Sequence, residues 1–205
     1  MKTKLFSIVS LLLLSFGLIT TVTHAEEVYT VRSGDTLWKI SQRFQIGLSE
    51  IISANTQFSN PNLIYPGDRV TIPTIEGTKS VESEVVRLTN VERQKQGLPA
   101  LKQDWQVARV ARYKSADMRD NNYFSHTSPT YGSPFDMMRN FNVSYRSAGE
   151  NIAAGQPTAA EVVRDWMNSP GHRKNILSSG YTHIGVGYAK GGSYTHYWTQ
   201  MFISK

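Results

Sequence analysis

Ala148-Gly-Glu-Asn-Ile-Ala-Ala-Gly155 and Trp166-Met-Asn-Ser-Pro-Gly-His-Arg-Lys-Asn-Ile-Leu177 are the two ends of the stretch that decides how this chain is read. The first end carries an acid, Glu150, and the second a base, His172, each beside backbone-bending glycines. Between them Thr158 stands three residues before Glu161, the spacing at which a hydroxyl and a carboxylate cap each other across a first helical turn. A helix is therefore expected from Thr158 to Trp166, bounded by Pro157 before it and by Ser169-Pro170-Gly171 after it. Such a helix holds its flanks in fixed positions. Glu150 and His172 are then either partners in a site or ties that hold loops down.

Composition narrows the classes. The chain has 205 residues, room for one sizeable domain and a small one, and 40% of them are hydrophobic, too many for a disordered chain. It has no cysteine, which excludes disulfides and thiolate metal sites. A secreted protein of this kind relies on its core alone, which is ordinary in Gram-positive bacteria. The net charge of +6 falls once Lys2 and Lys4 leave with a leader, and no Lys/Arg run exceeds two residues. That pattern argues against a nucleic-acid module and fits either an anionic wall polymer or simple solubility.

Residues 1–25 have the pattern of a secretory signal: Lys2 and Lys4, an apolar run from Leu5 to Val22, then Thr23-His24-Ala25 with small residues where a signal peptidase cuts. An uncleaved anchor is the alternative, because the run is about as long as a membrane span. Either way the remainder lies outside the cytoplasm, with no membrane contact after cleavage.

Residues 28–73 read as strand, helix, helix, strand. Val28-Tyr-Thr-Val-Arg32 alternates, Leu37, Ile40, Ser41 and Phe44 recur at helical spacing, and so do Leu48, Ile51 and Ile52. Tyr65-Pro66-Gly67-Asp68 is a turn, and Arg69-Val-Thr-Ile-Pro73 closes the unit. A linker follows at 74–80. In the larger domain, 81–205, Val81, Val85 and Leu88 mark one helix. Asp104 opens another with Ala108, Ala111, Ser115 and Met118 on one stripe, and Ser133-Pro134 opens a short third. Ile184–Tyr188 and Thr195–Ile203 read as strands joined through Gly191-Gly192. Helices flanking an antiparallel sheet, an α/β (α+β) fold, are the expected outcome.

Two resemblances sharpen this. Tyr29-Thr-Val, Gly34-Asp35-Thr36-Leu37, Ile40-Ser41, Phe44, Ile52 with Asn55, Leu63-Ile64-Tyr65-Pro66-Gly67 and Ile72-Pro73 make residues 28–73 resemble a LysM domain. That resemblance implies a βααβ module that binds N-acetylglucosamine polymers, peptidoglycan or chitin. Its groove would have Gly34, Asp35, Thr36 and Leu37 on one wall and Asn62, Leu63, Ile64, Tyr65 and Pro66 on the other. Leu37 and Ile64 could equally be core.

Residues 81–205 resemble a bacterial CAP domain, of the cysteine-rich secretory, antigen 5 and pathogenesis-related 1 superfamily. The carriers are Leu88–Arg93, Phe124-Ser125-His126, Pro134-Phe135-Asp136, Ala148–Ile152, Trp166–Arg173, Asn175-Ile-Leu177, Ile184–Gly187 and Tyr197–Gln200. The implied fold is a three-layer α/β/α sandwich with a cleft lined by histidines and acids. Of the family's two His and two Glu, His126 and Glu150 are matched, whereas Tyr197 and Ser169 stand where the others would be. His172 is then the expected second imidazole. His196 should face away, His183 has no evident partner, and Asp136 is expected to cap or pair locally.

Three chemistries remain open for His126, Glu150 and His172: a site for Zn²⁺ or another divalent cation, general-base catalysis, or a hydrogen-bonded network that holds loops. No Gly-x-Ser-x-Gly elbow supports a serine hydrolase. The expectation is a secreted protein at the cell wall or spore surface, with LysM as its anchor and the CAP domain presenting a cleft to an unknown ligand. A wall-targeted hydrolase, protease or muramidase-like, is the alternative.

Overall fold

The structure is a computed structural model that describes residues 27–74 and 76–205. The expected leader lies outside the described residues.

The small module is built as β1 (Glu27–Thr30), α1 (Leu37–Phe44), α2 (Leu48–Ser53) and β2 (Arg69–Ile72), the two strands pairing antiparallel. Thr36 caps α1 by accepting from the Lys39 amide. Val31, Leu37, Ile40, Ile46, Ile51, Val70 and Ile72 form its core. Asn55 ties helix to strand, donating to the Ile51 and Thr71 carbonyls and accepting from the Thr71 amide at 2.8 Å.

The larger domain begins with α3 (Glu76–Gln94), so most of the expected linker is already helix. There follow β3 (Lys102–Gln103), α4 (Trp105–Asp120), α5 (Pro134–Asn140), β4 (Ser147–Ala154), α6 (Ala159–Asn168), α7 (Pro170–Ile176), β5 (His183–Lys190) and β6 (His196–Ser204). The sheet order is β3-β5-β6-β4. Only the short β3–β5 pair is parallel.

Strand β6 shows why this sheet needs two helical layers. Trp198 and Phe202 pack with Val85, Val86, Val162, Val163, Trp166 and Ile176 of α3, α6 and α7. The alternate residues Met201 and Ile203 pack with Val107, Val110, Ala111, Met137 and Met138 of α4 and α5. A strand buried on both faces has no solvated side, and a three-layer sandwich is the result. Contact with α4 is unusually close. An added Cβ at Gly187 would lie 2.1 Å from the Ala111 carbonyl carbon and the Arg112 amide nitrogen.

Helix caps fall where the sequence places them. Asp104 accepts from the Gln106 and Val107 amides, Ser133 and Asp136 form a full capping box, and Thr158 accepts from Glu161. Asp136 therefore acts locally, as expected, and also pairs with Arg139. Two elements differ from expectation. Ser169-Pro170-Gly171 does not end a helix into a loop; Pro170 sits at the first position of α7, where its missing N–H costs nothing. Glu150 is not on a glycine loop but in strand β4, paired opposite Met201.

The two domains touch. Arg109 of α4 donates from Nε and Nη2 to both carboxylate oxygens of Glu50 at 2.8 and 3.0 Å and from Nη2 to Ser49 Oγ at 2.8 Å. Its guanidinium lies over Tyr113 and Phe141. The proximity expected of a short connection is thus fixed by a forked ion pair.

One local feature is costly. Thr195, between β5 and β6, has φ 65°, and the His196 amide donates to the Tyr194 carbonyl across it at 2.7 Å. This is a γ-turn of the rare positive-φ kind, centred on a β-branched residue, a strain of about 1–3 kcal/mol.

Candidate functional site

The cleft is assembled at the edge strand β4. Glu150 points to the α4 side of the sheet, in the same register as Met201, and its neighbour Asn151 points to the α7 side with Gln200. Glu150 Oε1 lies 2.7 Å from His126 Nδ1, while Oε2 is buried without a partner. The acid is buried and the imidazole is largely exposed. Burial pushes the Glu150 carboxyl above the usual carboxylate range, while the His126 bond and the Lys114 charge pull the other way.

His126 lies in the loop after α4, and two buried side chains one turn apart on that helix hold this loop. Asp117 accepts from Ser128 Oγ at 2.6 Å, Thr130 Oγ1 at 2.6 Å, Tyr123 OH at 2.5 Å and Asn121 Nδ2 at 2.7 Å. Burial alone would raise this carboxyl, but those donors together hold it below the usual range. Lys114 is fully buried; its Nζ donates to the His126 carbonyl at 2.9 Å and the Tyr123 hydroxyl at 3.1 Å. Burial pushes its ammonium below the ordinary lysine range, and the charges of Glu150 and Asp117 oppose this.

His172 reaches the cleft from the opposite layer, on α7. Asn151 Nδ2 donates to the His172 carbonyl at 3.1 Å and to Gln200 Oε1 at 3.0 Å. Asn175 Nδ2 donates to Asn151 Oδ1 at 2.8 Å and the Glu150 carbonyl at 3.2 Å, and Gln200 Nε2 donates to Thr89 Oγ1 at 2.8 Å. Gly149 makes this docking possible, because an added Cβ there would meet Tyr181 OH at 2.5 Å and Asn175 Oδ1 at 3.3 Å. Arg93 of α3 secures the far end of α7, donating from Nη1 to the Ile176 and Ser178 carbonyls. Partial burial, then the nearby charge of His126, push the His172 imidazole below its ordinary value.

The structure therefore brings His126 and Glu150 into direct contact, and His172 is near enough for the His126 charge to act on it. Among the described residues no group of three or more His, Cys, Asp or Glu is arranged to hold a metal ion. The donor types would suit a divalent cation, but Glu150 Oε1 is already engaged by His126, and the geometry does not fit. His196 faces elsewhere as expected, its Nδ1 being 2.6 Å from Tyr188 OH, and His183 Nδ1 is 2.8 Å from Thr182 Oγ1. Tyr197 is wholly buried.

In the small module the two expected walls are neighbours. The Val31 amide donates to the Asp68 carbonyl and the Gly67 amide to the Val31 carbonyl, bringing the loop before β2 against the turn after β1. Three of the nine expected groove residues have side chains engaged elsewhere, Thr36 as the cap of α1. Leu37 is buried in the module's core. The Asp35 carboxylate is held by Tyr29 OH at 2.6 Å, the Arg32 amide at 2.9 Å and Arg43. Thr36, Asn62, Leu63, Tyr65 and Pro66 are exposed, the Gly34 carbonyl accepts from Lys39 Nζ, and Ile64 packs partly on the core. Trp38, which sequence reasoning passed over, is 58% exposed, as is Tyr65, with Leu63 at 52%.

A small βααβ module ahead of a three-layer sandwich, with a His–Glu pair on the edge strand of that sandwich, defines a two-module class of protein. The chain belongs to the cysteine-rich secretory protein family (CAP), whose match covers residues 86–202, and it carries a LysM domain at residues 29–73. Protein YkwD of Bacillus subtilis (strain 168) is 63% identical over 124 residues, 60% of this chain and 47% of that protein. The solved structure of an extracellular protein containing an SCP domain from Bacillus anthracis is 39% identical, with a TM-score of 0.58 over 68% of this chain and 47% of that one. The LysM region is 50% identical over 44 residues to a probable N-acetylmuramidase of Lactococcus lactis, 22% of this chain and 10% of that protein. This chain spans less than half the length of each of these relatives. Among the described residues no helix is long and apolar enough to cross a membrane.

The Glu150 carboxyl makes a pH prediction. A folded-state pKa above the unfolded value, 4.5, means that the folded chain binds the extra proton, so stability falls as pH rises from that value through the raised one. Glu150→Gln removes this loss. The melting temperature of the parent should therefore drop relative to Glu150→Gln across that window and stay parallel above it. Curves that remain parallel throughout would contradict the assignment.

Proposed function

We propose that this protein binds N-acetylglucosamine polymer, peptidoglycan foremost, through residues 29–73. By this reading it works outside the cell, presenting the His126–Glu150 cleft to a ligand or partner. The observation that carries the reading is the placement of Leu63, Tyr65 and Trp38, exposed on or beside the two loops that the β1–β2 pairing brings together. Exposed apolar faces next to backbone polar groups suit an acetamido methyl and a sugar ring. Titration of the full chain with a soluble N-acetylglucosamine tetramer tests it. Tyr65→Ala should weaken binding about tenfold, a loss of about 1.4 kcal/mol. An unchanged affinity would remove the groove.

One observation favours a second reading. A buried carboxyl with one oxygen on an imidazole and the other unpaired is poised for proton transfer. Glycoside hydrolysis ordinarily asks for a second carboxylate, and the nearby Asp117 is consumed by four donors. Ligand binding is therefore preferred. Wall or peptide turnover that disappears in the same Glu150→Gln variant would reverse that preference.

A further inference from the structure

Among the described residues of the larger domain the exposed large apolar side chains are Phe124, Phe135 and Tyr194, and two of these meet. Phe124, 47% exposed, and Tyr194, 50% exposed, have ring centroids 6.2 Å apart at 51°. They come from different elements. Phe124 stands two residues before His126 in the loop held by Asp117 and Lys114, and Tyr194 is at the tip of the β5–β6 hairpin. The two supports are joined, since Ser193 Oγ donates to Asn122 Oδ1 at 2.6 Å. The Tyr194 ring rests edge-on against buried Tyr197, 5.7 Å away, and its amide donates to the Tyr197 hydroxyl at 3.3 Å.

Packing does not account for this arrangement. Each residue is about half exposed, and Tyr194 directly precedes the strained turn at Thr195, where glycine would fit without strain. Of the polar groups near the pair, Ser125, Asn122 and Ser193 are neutral and Arg119 is bonded to Asp120, while the ionisable His126 stands two residues from Phe124. Aromatic faces bordered by hydroxyl and amide groups match a pyranose ring, with an apolar C–H face and a polar rim, better than a charged peptide.

We propose that Phe124 and Tyr194 form a sugar-stacking platform beside the His126–Glu150 cleft, which takes the same N-acetylglucosamine polymer that residues 29–73 hold. The proposal rests on the LysM reading for the identity of the polymer. Two weak grips on one long polymer multiply through effective concentration, whereas a short oligomer cannot engage both.

The test compares full-length proteins on purified peptidoglycan, on chitin, which has no peptide stems, and on the soluble N-acetylglucosamine tetramer. The double variant Phe124→Ala/Tyr194→Ala should hold both polymers about tenfold more weakly, melt where the parent melts, and keep the parent's tetramer affinity. Tyr194→Phe should restore polymer binding. A double variant that binds both polymers as tightly as the parent overturns the platform. Weakening on peptidoglycan but not on chitin overturns its assignment to sugar and points to the stem peptide. If Tyr65→Ala leaves polymer binding intact while the double variant loses it, the LysM reading fails and the platform stands. No binding by the parent overturns both.

Discussion

Gly187→Ala is expected to destabilise the larger domain by about 3 kcal/mol or more, the upper end of what overpacking costs, and to lower its melting temperature by about 10 °C. The magnitude follows from what the methyl would meet. The atoms 2.1 Å from its position belong to the α4 backbone at Ala111 and Arg112, not to a side chain that can turn aside. The helix would have to lift from β5, taking with it the Ser115 hydroxyl that donates to the Gly187 carbonyl at 3.0 Å and lies 2.9 Å from Thr199 Oγ1. Lys114 and Asp117 ride on the same helix, so the cleft should loosen together with the core. Calorimetric melting checks this, and an unchanged melting temperature would mean that α4 does not lie so close.

Asp117→Ala should cost about 3–5 kcal/mol, because it strands the buried Ser128 hydroxyl and the half-buried Tyr123 hydroxyl, each worth about 1–3 kcal/mol when left unpaired. Asn121 and Thr130 are exposed and can turn to water, so their share is smaller. The loop carrying His126 would then keep only Lys114 of its two buried anchors on α4, and the His126 ring resonance should broaden as the loop moves. The carboxyl is held below its usual range, so its contribution is complete above the unfolded value, 3.8, and is lost as pH falls through the lower folded value. Parent and variant should therefore converge in acid. A variant that melts with the parent at neutral pH would show that the four donors find water as readily as they find the carboxylate.

The sequence was most legible where the physics is local. Asp104, Ser133 and Thr158 each cap the helix their spacing announces, and the small module's strand–helix–helix–strand order follows from periodicity within short windows. Strand β4 was not legible from its own residues. Ser147–Ala154 is mostly alanine, glycine, serine, glutamate and asparagine, with Ile152 its one residue of high β propensity, and it is a strand because β6 pairs along its whole length. The same tertiary effect decides α7, whose Ser-Pro-Gly opening reads as a break until proline is allowed the first helical position.

Of the site, Glu150 and His172 stood out in the stretch itself and resemblance to a family added His126; His126 and Glu150 do meet. The supports were missed. Lys114 offers a usable signal, for it falls on the helical stripe of Val107, Val110, Ala111 and Met118, where a lysine needs a buried partner. Gln200 offers another, sitting between Trp198 and Phe202 in the inward register of β6. Asp35 and Leu37 were placed in the groove because the family's loop contains them. Which of a loop's side chains turn inward depends on Tyr29, Arg43 and the module core, all distant in sequence.

The central claim is that the small module holds the cleft on the wall polymer. Its most direct measurement is sedimentation with purified peptidoglycan of the full chain and of a chain lacking residues 27–73, each checked for cooperative melting. The account predicts that the full chain pellets and that the shortened chain melts cooperatively but loses most of its binding, keeping at most the weak residue that the aromatic platform supplies. A folded shortened chain that pellets as completely as the full one would contradict it.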